Sequence, residues 1–153
     1  MTTAPATDTD KRIRDGLRQV IADTYALMGQ THHCHWNVEG PGFFALHAAF
    51  EEQYTELFNA VDDIAERLRA LGGYAPGGLN RLASMAGFNE IGEEVSANDM
   101  VSSLLEQHAQ AVAHIKETRD VAGDSGDTET EDMMIARIQV HEKTMWMLRS
   151  YLR

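Results

Sequence analysis

The chain has 153 residues, 43% hydrophobic and 24% charged, with a formal net charge of -11. That is one domain's worth of chain with room for a proper core, and its acidity argues against a surface built to hold nucleic acid or anionic lipid. The single cysteine, Cys34, excludes an internal disulfide and fits a reducing compartment. No signal peptide is evident and no apolar run approaches transmembrane length, so a cytoplasmic location without membrane contact is expected.

Residues 1–10 are small, polar and interrupted by Pro5, and are expected to form a short flexible tail ahead of a single domain over 11–153. The tail holds no lysine or arginine, while Asp8 and Asp10 make it acidic. A first helix starts between Asp8 and Lys11 and runs to about Trp36, with Ile13, Leu17, Val20, Ile21, Tyr25 and Leu27 or Met28 at helical spacing. Gly40-Pro41-Gly42 then breaks the chain. A second helix covers roughly 42–71 and stops at Gly72-Gly73. Its core stripe is Phe43, Phe50, Leu57, Ile64 and Leu71, with Val61 and Leu68 beside it.

Residues 72–97 form a long glycine-rich connection in which Asn80 to Met85 can make one or two helical turns. Ser96 is the expected N-cap of a third long helix carrying Met100, Leu104, Leu105, Ala111, Val112 and Ile115 and ending near Gly123. After a turn at 124–128, a last helix runs from about Thr128 to Leu152 with Met134, Ile138, Met145, Trp146 and Leu148 as its apolar positions. The fold class is therefore all-α: a ferritin-like four-helix bundle whose long crossover carries a short helix.

The chemistry concentrates on the second helix. His47 and Glu51 are one turn apart, Asp62 and Glu66 repeat that spacing, and all four lie within roughly 100° of arc. The pairs are about 22 Å apart along the axis, so one metal cannot touch both pairs of one helix. They are, however, symmetric about residue 56 or 57. Two copies packed antiparallel about a twofold there would bring His47 and Glu51 beside the partner's Asp62 and Glu66, giving two identical sites. Acidic residues on a helix are more often a solvated face. Here Phe58 lies between the pairs and Tyr54 borders them, which suggests a face that meets something.

A hairpin about Gly40-Pro41-Gly42 sets His35 level with His47. Two imidazoles and three carboxylates suit Fe(II), Mn(II) or Zn(II) and not a thiolate metal. Cys34 reads as a small buried residue. His32 is one turn before His35, where a satisfied histidine and a group supporting the ligands both fit. His108, His114 and His141 have no partner at metal-ligand spacing and receive no role. Trp36 adjoins a ligand and fits packing and electron donation equally well. No Glu-x-x-His motif occurs anywhere in the chain, which favours a site outside the bundle interior.

His35-Trp36-Asn37, Gly40, Phe43, Leu46-His47, Glu51, Asp62-Asp63-Ile64-Ala65-Glu66-Arg67, Leu71-Gly72-Gly73 and Trp146 together resemble the Dps family, the mini-ferritins named for DNA protection in starved cells. The resemblance spans roughly 10–152. It implies a homo-oligomer, a hollow dodecamer built from twofold dimers. It also implies a ferroxidase that oxidises Fe(II), with hydrogen peroxide favoured as oxidant, and stores the ferric mineral against iron and oxidative damage. Carried over by residue, the catalytic and metal-binding positions are His35, His47, Glu51, Asp62 and Glu66. Iron is the implied metal, with Zn or Mn as other occupants of the same site. Glu51 stands where aspartate is commoner and His32 where some members carry lysine. The resemblance further implies acidic pores, here matched by Asp127-Thr128-Glu129-Thr130-Glu131-Asp132. The family name also suggests the alternative of a nucleoid-associated protein that binds and compacts DNA. Phosphate contacts supply most nonspecific affinity, and a tail without basic residues on a chain of charge -11 makes direct DNA binding the weaker expectation.

Overall fold

The computed structural model describes residues 4–153. The expected tail therefore lies in part, at residues 1–3, outside the described residues. Five helices follow in order: α1 Asp8–Asn37, α2 Phe43–Ala70, α3 Leu79–Ala86, α4 Ala97–Ser125 and α5 Thr128–Tyr151. The described residues contain no strand, and no helix among them is long and apolar enough to cross a membrane.

The helix starts have local causes. Thr7 accepts from the Asp10 amide at 3.1 Å while the Asp10 carboxylate accepts from the Thr7 amide at 2.9 Å. This capping box starts α1 at Asp8, at the early end of the expected Asp8 to Lys11 range. Ser96 caps α4 through the Asp99 amide, as its position in the sequence indicates. At the other end, α4 passes the expected stop at Gly123 and ends at Gly126, whose φ of 82° is the left-handed C-cap conformation that glycine takes without strain.

α1 packs on α2 and α4 on α5, forming two antiparallel hairpins, and α1 also packs on α4. The crossover is pinned by side chains of the long helices. Gln19 donates to the Met85 carbonyl at 2.8 Å, Gln107 to the Asn89 carbonyl at 3.0 Å, and the Ile91 amide donates to Gln30 at 2.7 Å.

Two apolar clusters fill the bundle. One holds Leu17, Val20, Ile64, Leu68, Ile115 and Met134; the other holds Leu27, Leu46, Phe50, Leu57, Met100 and Leu104. Two residues expected on apolar stripes lie instead at the surface: Tyr25 is 36% and Trp146 59% exposed. Phe50 is fully buried. Phe50→Ala is expected to cost about 3–5 kcal/mol, measured as the shift in urea midpoint; a change below about 1 kcal/mol would mean the cluster is looser than its burial implies.

Candidate metal centre

The α1–α2 hairpin turns on Gly40, whose φ of 104° is open to glycine and strained for other residues. Gly42 must stay small for another reason: a Cβ there would meet the Tyr151 hydroxyl at 2.9 Å. The turn sets the last turn of α1 against the first turns of α2. His35 Nδ1 then lies 2.7 Å from the His47 carbonyl oxygen, and His47 Nδ1 lies 2.7 Å from the His35 carbonyl oxygen. A carbonyl can only accept, so each ring carries its proton on Nδ1. In the neutral form of each ring, Nε2 is then a lone pair open to a metal. Donating the other ring N–H to a backbone carbonyl is how metal-bound histidines are oriented.

The two rings stack at 3.8 Å between centroids, and Phe43 stacks on the outer side of His47 at 5.0 Å. Tyr54 meets His35 edge-on at 5.2 Å. His32 lies between Tyr54, at 4.3 Å, and Trp36, at 4.0 Å, and its ring is 6.2 Å from that of His35. His35 is buried, His47 half-buried and Glu51 exposed one turn further along α2. Cys34 is wholly buried, and burial pushes its thiol up to about 12, which makes it inert as a nucleophile.

The second group lies at the far end of the same helix. Asp62, Asp63 and Glu66 can place carboxylate oxygens within 4.8 Å of one another, and all three are exposed. Asp63 is the residue that sequence spacing missed, since it is adjacent to Asp62 rather than one turn away. Within one chain the histidine pair and this acidic group stay apart, separated by most of α2. Between them the same surface exposes Phe58 at 61%, with Phe44 at 85% and Trp36 at 63% near the histidine end.

The acidic run at the start of α5 is less free than its composition suggests. Asp127 caps the helix, accepting from the Thr130 amide at 3.1 Å, the Thr130 hydroxyl at 2.6 Å and Arg67 at 2.9 Å. Partial burial works to raise its carboxyl pKa, but the Thr130 donors and Arg67 together hold it below the usual range. Thr130 is buried and Glu131 half-buried, so Glu129 and Asp132 are the acids of that run left exposed.

A model of the ferritin-like domain matches residues 14–153. The DNA protection during starvation protein of Brevibacillus brevis is 38% identical over 136 residues, covering 89% of this chain and 91% of the relative. The crystal structure of a Dps protein from Bacillus brevis superposes with a TM-score of 0.92 at 36% identity, covering 97% of this chain and 99% of that one. A Vibrio cholerae Dps structure, described as a member of a broad superfamily of ferritin-like diiron-carboxylate proteins, gives 0.92 at 26% identity over 99% of this chain and 100% of that one. With four long helices in two hairpins, and matches of this extent in both sequence and structure, the chain belongs to the Dps family of ferritin-like proteins.

Proposed function

We propose that this protein oxidises Fe(II) at sites shared between two copies of the chain and stores the ferric product inside a hollow dodecamer, protecting the cell from iron-driven oxidative damage. The observation that carries this reading is the reciprocal clamp of His35 and His47, which presents two Nε2 lone pairs side by side. Membership of the Dps family and the diiron-carboxylate description of the Vibrio cholerae relative support it. Iron is the substrate here, and Zn(II) or Mn(II) would compete for the same donors.

His35, His47 and Glu51 of one chain and Asp62 and Glu66 of its twofold mate form the ligand set, with Asp63 close enough to assist. Imidazoles suit Fe(II), and the three carboxylates favour the harder, more highly charged product. Two Fe(II) each give up one electron; hydrogen peroxide takes both, and with two protons its O–O bond is cleaved to water. The exposed Phe58, Phe44 and Trp36 supply apolar surface for the twofold contact that completes the site. Stopped-flow oxidation is expected to be much faster with peroxide than with dioxygen and to leave ferric iron bound to the particle. No acceleration over buffer with either oxidant would remove the ferroxidase reading.

Protection by iron oxidation needs no direct contact with duplex DNA. The formal charge of -11 is multiplied by each added copy, and residues 1–10 carry no basic side chain. A gel-shift titration with chelator at moderate salt is expected to leave duplex DNA unretarded up to micromolar particle. Retardation that disappears on deleting residues 1–12 would place DNA binding in the N-terminal segment and reverse this conclusion.

A further inference from the structure

A polar layer divides the two apolar clusters of the bundle. Within it, Glu56 of α2 receives both terminal nitrogens of Arg137 from α5, at 2.6 and 2.8 Å. One of those nitrogens also lies 3.3 Å from His141 Nε2. A guanidinium cannot accept, so His141 Nε2 is unprotonated and its ring proton is on Nδ1. That N–H donates to His108 Nδ1 of α4 at 2.8 Å, which places the His108 proton on Nε2. Burial, reinforced by the positive charge of Arg137, keeps both rings neutral, His108 being pushed down to about 3. Arg137, His108 and His141 are 7%, 2% and 1% exposed. His108, His141, Gln53 and Glu56 line a cavity of about 240 Å³, with Glu52 and Lys143 also in its wall. Among the described residues, His108 Nε2, the Gln53 side-chain oxygen and Arg137 Nε are buried with no hydrogen-bond partner, as is the Gln107 side-chain oxygen.

The two groups that meet Arg137, the Glu56 carboxylate and His141 Nε2, are both of metal-ligand type. A carboxylate presents both oxygens, and a neutral imidazole presents Nε2 while its other N–H is held by an acceptor, the usual support of a metal-bound histidine. The cavity is far larger than the roughly 10–15 Å³ a water needs to complete such a shell. The side chain of Glu56 is 40% exposed, which gives the position a route to solvent. We propose that the Arg137 guanidinium fills a cation position inside the bundle and so closes it to divalent metal, confining metal to the other face of α2. Arg137 is thus a residue that sets where metal binds, and the inference does not depend on any oxidation chemistry at the outer site.

The test uses a parent carrying Asp62→Ala, Asp63→Ala and Glu66→Ala, so that the outer acidic group is absent. Adding Arg137→Leu is expected to gain one Co(II) per chain over that parent, seen as new visible absorption with nitrogen and oxygen ligation. A further His141→Phe should abolish the gain, and Arg137→Lys in place of Arg137→Leu should leave the interior closed. Zn(II) should raise the thermal midpoint of the Arg137→Leu variant more than that of the parent, whose His35, His47 and Glu51 remain, and His141→Phe should remove the difference, a readout that holds even if this variant folds marginally, since metal and fold are linked. If the Arg137→Leu chain gains neither Co(II) nor midpoint, or if the parent itself holds a Co(II) that His141→Phe removes, Arg137 does not close a metal position.

Discussion

His47→Ala and Asp62→Ala, made separately, are each expected to lower the fast phase of Fe(II) oxidation by about a hundredfold or more, beyond the 10–100-fold typical of groups that only orient a ligand. Each change removes a ligand from every site if, as proposed, each site takes His47 from one chain and Asp62 from the other. Co-expressing the two variants should then restore activity. In a mixed dimer one site collects both lesions, and the other collects the intact His47 of one chain and the intact Asp62 of its mate. With random pairing half the dimers are mixed, so roughly a quarter of all sites should recover. A site built within one chain could not recover in this way. Mixed particles, verified by mass, whose oxidation stays at the single-variant level would contradict the shared site.

The second large effect is on stability in acid. His108 and His141 have folded pKa values far below the ordinary 6.5, His108 at about 3, because burial and Arg137 disfavour their charged forms. The unfolded chain therefore binds more protons than the folded one below pH 6.5. Their contribution is fully present above 6.5 and is lost as pH falls below it, for His108 down to about 3, at about 1.4 kcal/mol per pH unit for each histidine that stays neutral in the folded chain. Asp127 and Asp15, whose pKa values are lowered from 3.8, add their own loss only nearer that value. Asp23 runs the other way: burial raises it despite hydrogen bonds from His114 and Gln19, so it favours the folded state at low pH and less as pH rises. Between pH 6.5 and 4 the paired histidines should dominate. The metal-free protein is expected to lose urea midpoint steeply there, and His108→Gln with His141→Gln should flatten the slope by about two protons. An unchanged slope in the double variant would show that the pair does not carry the acid sensitivity.

Much of this molecule is legible in its sequence because helices write their contacts at regular spacing. The stripe from Phe50 through Leu57 to Ile64 marked the buried side of α2, and the two i,i+4 pairs marked the exposed face on which the metal site is proposed. His35 became legible because Gly40-Pro41-Gly42 announced a hairpin. Asp63 was missed because neighbours in sequence point about 100° apart on a helix, and only flexible carboxylates close that gap. The Glu56–Arg137–His141–His108 chain was missed because it is spread over three helices whose mutual register no single sequence states. A partial signal did exist. His108 continues the buried run of Val101, Leu104, Ala111 and Ile115, and His141 falls between Ile138 and Leu148 on the buried side of α5. A histidine on a core stripe needs a partner inside the bundle. Trp146 was placed wrongly because it adjoins that stripe without lying on it.

The most direct measurement of the central claim is a crystal structure of the iron-loaded protein with anomalous data at the iron edge. Iron peaks are expected on α2 between the Nε2 atoms of His35 and His47 with Glu51 of one chain and the carboxylates of Asp62 and Glu66 from the twofold mate, two equivalent sites to each dimer. Iron ligated by one chain alone, or lodged in the bundle interior beside Glu56 and His141, would contradict it.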